Sequence, residues 1–292
     1  MDSNTISFGI APRVNACGRM GHENEALHIF LSEDVEEVKR LTDKLNEYNR
    51  IRQETEKGIV EEALNMIKQQ HTDEKNAIIL GNKGWHHGVI GIVSSKITET
   101  YFKPSILVCF EDGIAKGSGR SIPGFDLHDA LCKSSQYLEK YGGHEMAVGL
   151  TLKEENFQDF KEKFEQIAAQ SHLEQMQPVI YIDGVVTQED MKVDFVKHLE
   201  QLEPYGEGNK MPLFAYKGMK INSIRALTDG KHLKLTLRDD NLVVDAIGFN
   251  MGESVNDYRI GDKIDVVGVL EINSFNGMEN VQINLKDMMK SI

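Results

Sequence analysis

Two short strings hold the residue types that could do chemistry on an anion: Gly117-Ser118-Gly119-Arg120-Ser121 and Gly142-Gly143-His144. In the first, glycines remove Cβ atoms where a ligand must approach the backbone. The Arg120 guanidinium offers a planar fork for phosphate oxygens, and a serine hydroxyl adds another contact. In the second, paired glycines free backbone N–H groups, and His144 can donate to a phosphate or move a proton. The competing reading is structural: two tight turns around an ordinary helix, since short glycine-containing strings are common.

The elements that must position these strings follow from apolar periodicity. AIILGN and SILVCFED read as buried strands, GIAKGSGRS as their neighbour, GVIGIVSSKITETYF, DLHDALCKSSQYLEKY and NFQDFKEKFEQIAAQ as helices, and MAVGLTL as a further strand. Strands alternating with helices imply an α/β layer domain over residues 76–172. Trp85-His86-His87-Gly88 falls at a strand-to-helix turn, the edge where such domains collect ligands. Neighbouring histidines in a turn diverge and no third ligand stands at metal spacing, so one of them, His87, is assigned to a polar pocket rather than to a metal.

Upstream, apolar residues from Val35 to Ile67 recur at steps of three and four, which predicts a connecting helix within residues 32–75. Its middle, NRIRQETEKG, is polar and is expected to be solvated, as in a bridge between two bodies. Residues 1–31 begin with a β-type apolar stretch, read as the closing strand and loop of a larger domain. Asn15 and Arg19 could face a ligand there, or be solvated turn residues.

Downstream, residues 173–292 carry five or more β segments with turn signals at Asp229-Gly230, Asp239-Asp240-Asn241 and Asn276-Gly277. This order suits a small oligonucleotide-binding (OB) barrel. Arg225, Lys231, His232, Lys234 and Arg238 would form its basic surface, with Phe214, Tyr216 and Phe275 as stacking platforms. Aromatics turned inward and merely solvated lysines are the alternative.

Composition limits the partners. The formal charge is −13 for 292 residues, divided as −5, −2 and −6 among residues 1–75, 76–172 and 173–292. Bulk electrostatics therefore cannot hold a polyanion, and a local patch must. Cys17, Cys109 and Cys132 are odd in number and lack C-x-x-C spacing, which points to a reducing, cytoplasmic compartment without disulfides or zinc. No apolar run has membrane-spanning length and no export signal is visible, so no membrane partner is expected.

GSGRSIPGFDLHDAL followed by YGGHEMAVGLTL resembles the DHHA1 substrate-binding domain of the DHH phosphoesterase superfamily. WHHGVIGIVSSKITETYFKPSILV, LEPYGEGNKMPLF and IAPRVNACGRMG are similar to the RecJ family of bacterial single-strand-specific exonucleases. The resemblance implies the C-terminal part of such an enzyme: the end of the DHH domain, a long helix, the DHHA1 domain and an OB-fold. The Asp-His-His motif and the aspartates that hold two metals are absent, so the fragment should carry no cofactor, with Mn²⁺ or Mg²⁺ expected in the catalytic domain. The family further implies that Ser118, Gly119, Arg120 and Ser121 grip a 5′ phosphate, that His144, with Gly142 and Gly143, meets the scissile phosphate, and that Asn15 and Arg19 contact the strand. Single-stranded DNA with a 5′ phosphate is the implied partner, with a helicase and single-strand-binding protein as candidates. Two alternatives remain open, a stand-alone single-strand-binding or adaptor protein and a fragment of an oligoribonucleotide or cyclic-dinucleotide phosphodiesterase.

Overall fold

A computed structural model describes residues 3, 5–171, 173, 176–275 and 277–291, with the Phe275 side chain outside the description. The chain divides into two compact units, residues 3–178 and 179–292. Among the described residues no helix is long and apolar enough to cross a membrane.

The first unit opens on helices rather than on the expected strand. A wide π-type segment, Thr5–Ile10, runs into α1 (Ala11–Arg19), followed by α2 (Glu23–Leu31). Small and apolar residues at helical spacing give the reason: Cys17 and Ala26 bury against Leu45. Helix α3 (Val35–Gln70) starts where Asp34 accepts the Glu36 N–H at 2.9 Å and stops at His71, which adopts a left-handed backbone. Its 36 residues span about 54 Å. The middle is less solvated than its polarity suggests. Asn49 and Glu56 are buried, and Glu56 pairs with Arg52 and with Lys96 of α4 (His87–Tyr101). A polar run can face a partner helix when its charges pair.

The α/β sheet has strand order β1 (Ile78–Asn82), β2 (Ser105–Glu111), β3 (Ile114–Arg120), β5 (Ala147–Lys153) and β4 (Lys140–His144). β1 and β2 are parallel and the remaining pairs antiparallel. Ile59, Ala63 and Ile67 of α3 and Val89, Ile90 and Val93 of α4 cover one face. Helices α5 (Leu127–Cys132) and α6 (Phe157–Ala169) bring Leu127, Leu131, Phe160 and Phe164 to the other.

Gly117 to Arg120 lie within β3, as the strand reading of GIAKGSGRS expects, and not in the tight turn of the competing reading. One local expectation changes. The helix expected over DLHDALCKSSQYLEKY ends at Cys132, where the buried Ser134 hydroxyl donates to the Ala130 carbonyl. Lys140–His144 then joins the sheet as β4 because Gly142 and Gly143 disfavour helix and the β5 edge offers unpaired backbone groups.

In the second unit, β7 (Phe214–Leu227), β8 (His232–Asp239), β9 (Leu242–Gly248), β11 (Met278–Lys290) and β10 (Lys263–Phe275) pair in that order, and β10 pairs back with β7 to close a five-stranded barrel. Leu233, Leu235 and Leu237 of β8 alternate inward with Ile221, Val244 and Ile283, the period-two burial of a barrel strand. A two-residue strand β6 (Gly184–Val185) pairs with β7, and α7 covers Val193–Glu200. The Asn276 turn position lies outside the described residues.

Candidate functional site

The pleat of β3 sorts the SGRS string. Successive side chains alternate faces, so Gly117 and Gly119 turn toward Leu150 and Leu127, while Ser118 and Arg120 face α4. A Cβ on Gly119 would sit 3.0 Å from both Leu127 and Val148, so this glycine serves packing. Ser121 is buried and its hydroxyl donates to the Phe125 carbonyl at 2.7 Å, which fixes the following loop. Neither lines the anion site.

Ser118 and Arg120 open onto a cavity of about 640 Å³ lined also by Val14, Asn15, Gly18, Arg19, Glu23, Ala26, His87, Gly88 and Gly91. Asn15, Arg19, His87, Ser118 and Arg120, named separately in the sequence, therefore converge. The Arg120 guanidinium donates to the Gly119 carbonyl at 2.7 Å and to Ser118 Oγ at 3.3 Å, and Arg19 donates to the Gly88 carbonyl at 3.2 Å. Burial, and then the Arg19 charge, push the Arg120 pKa down. Among the described residues neither arginine pairs with a carboxylate, although Glu23 stands on the rim. Two guanidinium groups that repel each other across one cavity are stabilised by an anion between them.

Glycines make that approach possible. A Cβ on Gly88 would come within 2.1 Å of the Arg19 carbonyl oxygen, so only glycine lets α1 meet the start of α4. At Gly91 it would lie 2.9 Å from Ser118 Oγ and 3.4 Å from the Arg120 guanidinium. His86 caps α4 by accepting the Gly88 N–H through Nδ1, and its ring stacks on His87 at 5.0 Å. Burial, and then His87, hold the His86 pKa below its ordinary value. The two histidines do not diverge as expected; one builds the helix start and the other lines the cavity.

His144 lies outside the cavity lining, yet register ties it to Arg120. Arg120 pairs with Ala147, and Ala147 with His144. Ser118 pairs with Gly149, and Gly149 with Gly142. Directly opposed residues share a face, so two rows run from the arginine side to β4 across about 10 Å, two strand spacings. Gly142 and Gly149 would have nothing within 4 Å of an added Cβ. The floor between Arg120 and His144 is therefore backbone and one alanine. His144 Nδ1 accepts the Met146 N–H at 3.2 Å, which leaves Nε2 to carry the ring proton and donate. Gly143, at φ 139°, is obligatory, since a Cβ would lie 2.2 Å from the Ala147 oxygen. Sequence reading missed Gly149 and Ala147; the alternation in MAVGLTL was their signal.

On the barrel, Arg225 pairs across β7 and β8 with Lys234, which also meets Asp245 at 2.9 Å. His232 accepts the Asn250 N–H and packs edge-on against the exposed Phe249 at 5.3 Å. Lys231 is exposed beside them. The aromatic expectation changes. Tyr216 is buried and donates to Asp239 at 2.8 Å, Phe214 packs on Phe195, and Phe249 is the exposed ring. Tyr216 and Phe214 go inside because strand alternation turns them to the apolar face.

Among the described residues no group of three or more His, Cys, Asp or Glu could hold a metal ion. The cavity's donors, two guanidinium groups and a hydroxyl with Glu23 alone on the rim, suit an anion rather than a divalent cation.

Family models for the DHHA1 domain match residues 74–170 and for the RecJ OB domain residues 182–287. The chain is 35% identical over 287 residues to the single-stranded-DNA-specific exonuclease RecJ of Bacillus subtilis, covering 97% of this chain and 36% of that protein. It is 33% identical to its namesake from Haemophilus influenzae, covering 96% of this chain and 51% of the relative. The chain thus spans about a third to a half of the curated relatives it matches. The crystal structure of RecJ from Thermus thermophilus in complex with Mn²⁺ superposes with a TM-score of 0.85 at 31% identity, covering 100% of this chain and 42% of that one. With barrel, sheet and motif strings agreeing over nearly the whole length, the chain belongs to the RecJ family, from which it carries the DHHA1 and OB domains.

Proposed function

We propose that this chain is the substrate-holding part of a cytoplasmic, metal-dependent exonuclease that degrades single-stranded DNA from the 5′ end in repair and recombination. One observation carries the reading: Arg19 and Arg120 face one cavity beside Ser118, unpaired with carboxylates among the described residues. In this reading Ser118, Arg120 and Arg19 hold the terminal 5′ phosphate, with Asn15 and His87 at the cavity wall. The nucleotide lies over Gly149, Ala147 and Gly142, and His144 donates from Nε2 to the next phosphate. Arg225, Lys231, His232 and Lys234 receive the strand on the barrel. The metals named for the Thermus structures would be held elsewhere than in the described residues, so the chain binds single strands without hydrolysing them.

The test is anisotropy of a 3′-labelled oligodeoxynucleotide with either a 5′ phosphate or a 5′ hydroxyl. The 292-residue chain should prefer the phosphate, and Arg120→Ala should erase the preference. Equal affinity of the unaltered chain for both ends removes the end-recognition role. Hydrolysis by this chain in Mn²⁺ would overturn the assignment of chemistry elsewhere.

A further inference from the structure

At one end of the barrel three cations stand in a single register row. Lys263 of β10 pairs with Lys220 of β7, and Lys220 pairs with Arg238 of β8. All three are exposed. Like charges placed directly opposite one another weaken a strand pair. Among the described residues none of the three has a carboxylate at ion-pair distance; the barrel's ion pairs are Lys197 with Glu279, Lys234 with Asp245 and Lys290 with Asp262.

The acidic groups nearby are already engaged. Asp239 accepts the Tyr216 hydroxyl, Asp262 accepts the Arg259 N–H, and Asp265 accepts both the Gly218 N–H and the Ser291 hydroxyl. The cations are also held apart. Lys263 lies over Gly218, where an added Cβ would come 2.9 Å from its Cε, and Lys220 extends toward Gly261. Arg238 is oriented by donating Nε to the Asp240 carbonyl at 3.0 Å.

Arg238 was named in the sequence with the basic surface, but it lies at the other end of β8 from His232 and Lys234, and its row-mates Lys220 and Lys263 were not named. Arg238 lies six steps along β8 from His232, about 20 Å. It lies four steps from Lys234, about 13 Å. Ser223 and Thr236, paired with each other, lie between the two cationic rows on the same face, and the Thr236 hydroxyl donates to Asp245 at 2.9 Å, the carboxylate that also neutralises Lys234.

We propose that Lys263, Lys220 and Arg238 form a second phosphate-binding row that contacts the backbone of single-stranded nucleic acid, at the end of the barrel opposite the β7–β8 turn. The inference rests on the reading of this chain as a single-strand binder and extends its path. Two cationic rows along one face, the one carboxylate between them, Asp245, being held by Lys234 and Thr236, suit a chain of repeating phosphates better than an acidic peptide, which needs sockets for its side chains.

The test uses the whole chain and a labelled thymidine oligomer of about 30 nucleotides, longer than one OB barrel covers. Affinity is followed between about 50 and 200 mM salt. The triple variant Lys220→Gln, Lys263→Gln, Arg238→Gln should flatten the salt slope by about 2, because each single-strand phosphate contact contributes roughly 0.7. Its dissociation constant at low salt should rise at least roughly tenfold. Lys220→Arg with Lys263→Arg should keep the original slope, and the melting temperature should not fall in either variant, since the triple variant relieves the repulsion along the row. An unchanged slope in the triple variant while the parent chain still binds overturns this row and leaves the proposed function standing. No binding by the parent chain removes both. Loss of binding to polyglutamate with DNA binding intact reassigns the row to an acidic protein and overturns the proposal.

Discussion

The α/β unit and the barrel both present basic residues at their surfaces, but they hold them by different means. In the α/β unit Arg120 is half-buried, its guanidinium anchored on the Gly119 carbonyl, and the floor beside it is made of glycine backbone. On the barrel Arg225 and Arg238 project from strand faces into water and Lys231 from the β7–β8 turn, and Lys234 is already paired with Asp245. A desolvated, preorganised contact is worth more per residue and selects one geometry; exposed cations contribute smaller increments that salt screens. On the proposed function, the first unit recognises one phosphate in one place and the second follows a chain of them.

Substitutions that attack the backbone should separate the two most. Gly143→Ala places a Cβ 2.2 Å from the Ala147 oxygen at a φ of 139°, and should destabilise the α/β unit by about 3 kcal/mol, of the order that combined strain and overpacking cost. Fluorescence of Trp85, the one tryptophan of the chain, followed in urea reads that unit alone. Gly230→Ala in the β7–β8 turn, at φ 89° but with nothing within 4 Å, should cost only about 1 kcal/mol, measured by circular dichroism. Equal losses would contradict a backbone-built site in one unit and a tolerant turn in the other.

Next in size is Gly91→Ala. Its Cβ would push on Ser118 Oγ and the Arg120 guanidinium, so affinity for a 5′-phosphorylated strand should fall roughly tenfold, the loss of about one charge-assisted hydrogen bond. The 5′-hydroxyl strand should bind as before. A uniform loss on both would mean that Gly91 serves only helix packing. Smaller still, Arg225→Gln should reduce the salt slope by about 0.7, while Lys234→Gln should change it less because Asp245 already neutralises that amine. Matching slopes would show that the ion pair opens on binding.

The smallest effect is on pH. Burial holds the folded His86 pKa below its ordinary value, so the unfolded chain binds the extra proton as pH falls through about 6.5. The α/β unit should be fully stabilised above that pH and lose stability below it, down to the folded pKa. Urea midpoints on either side of that pH for the parent and His86→Asn, which can still cap α4, should differ less in the variant. An identical pH response would exclude His86 as its source.

How much of this was legible varies with the reach of the forces involved. SILVCFED, GVIGIVSSKITETYF and HLKLTLRD reveal themselves because burial imposes a period of 3.6 or 2 on the residues themselves. LHDALCKSSQYLEKY misleads because its helical period persists past Cys132, whereas edge pairing with β5 captures Lys140–His144. The opening residues misled for a related reason: Thr5–Ile10 buries nothing itself, while Cys17 and Ala26 further along find their partner in Leu45 of α3. NRIRQETEKG shows charge but not that Glu56 pairs with Lys96 across helices.

The sequence by itself determined the α/β layer, the long helix, the closed barrel and the residue types able to hold phosphate, because those depend on local pattern and composition. Tertiary structure alone decided which of them meet. Register put Arg120 and His144 in one row over a bare floor, the contact of α1 with α4 brought Arg19 to Arg120, and barrel closure lined up Lys263, Lys220 and Arg238. Each of these joins residues distant in the chain, and pairing and packing energies between distant segments leave no periodic mark on either one.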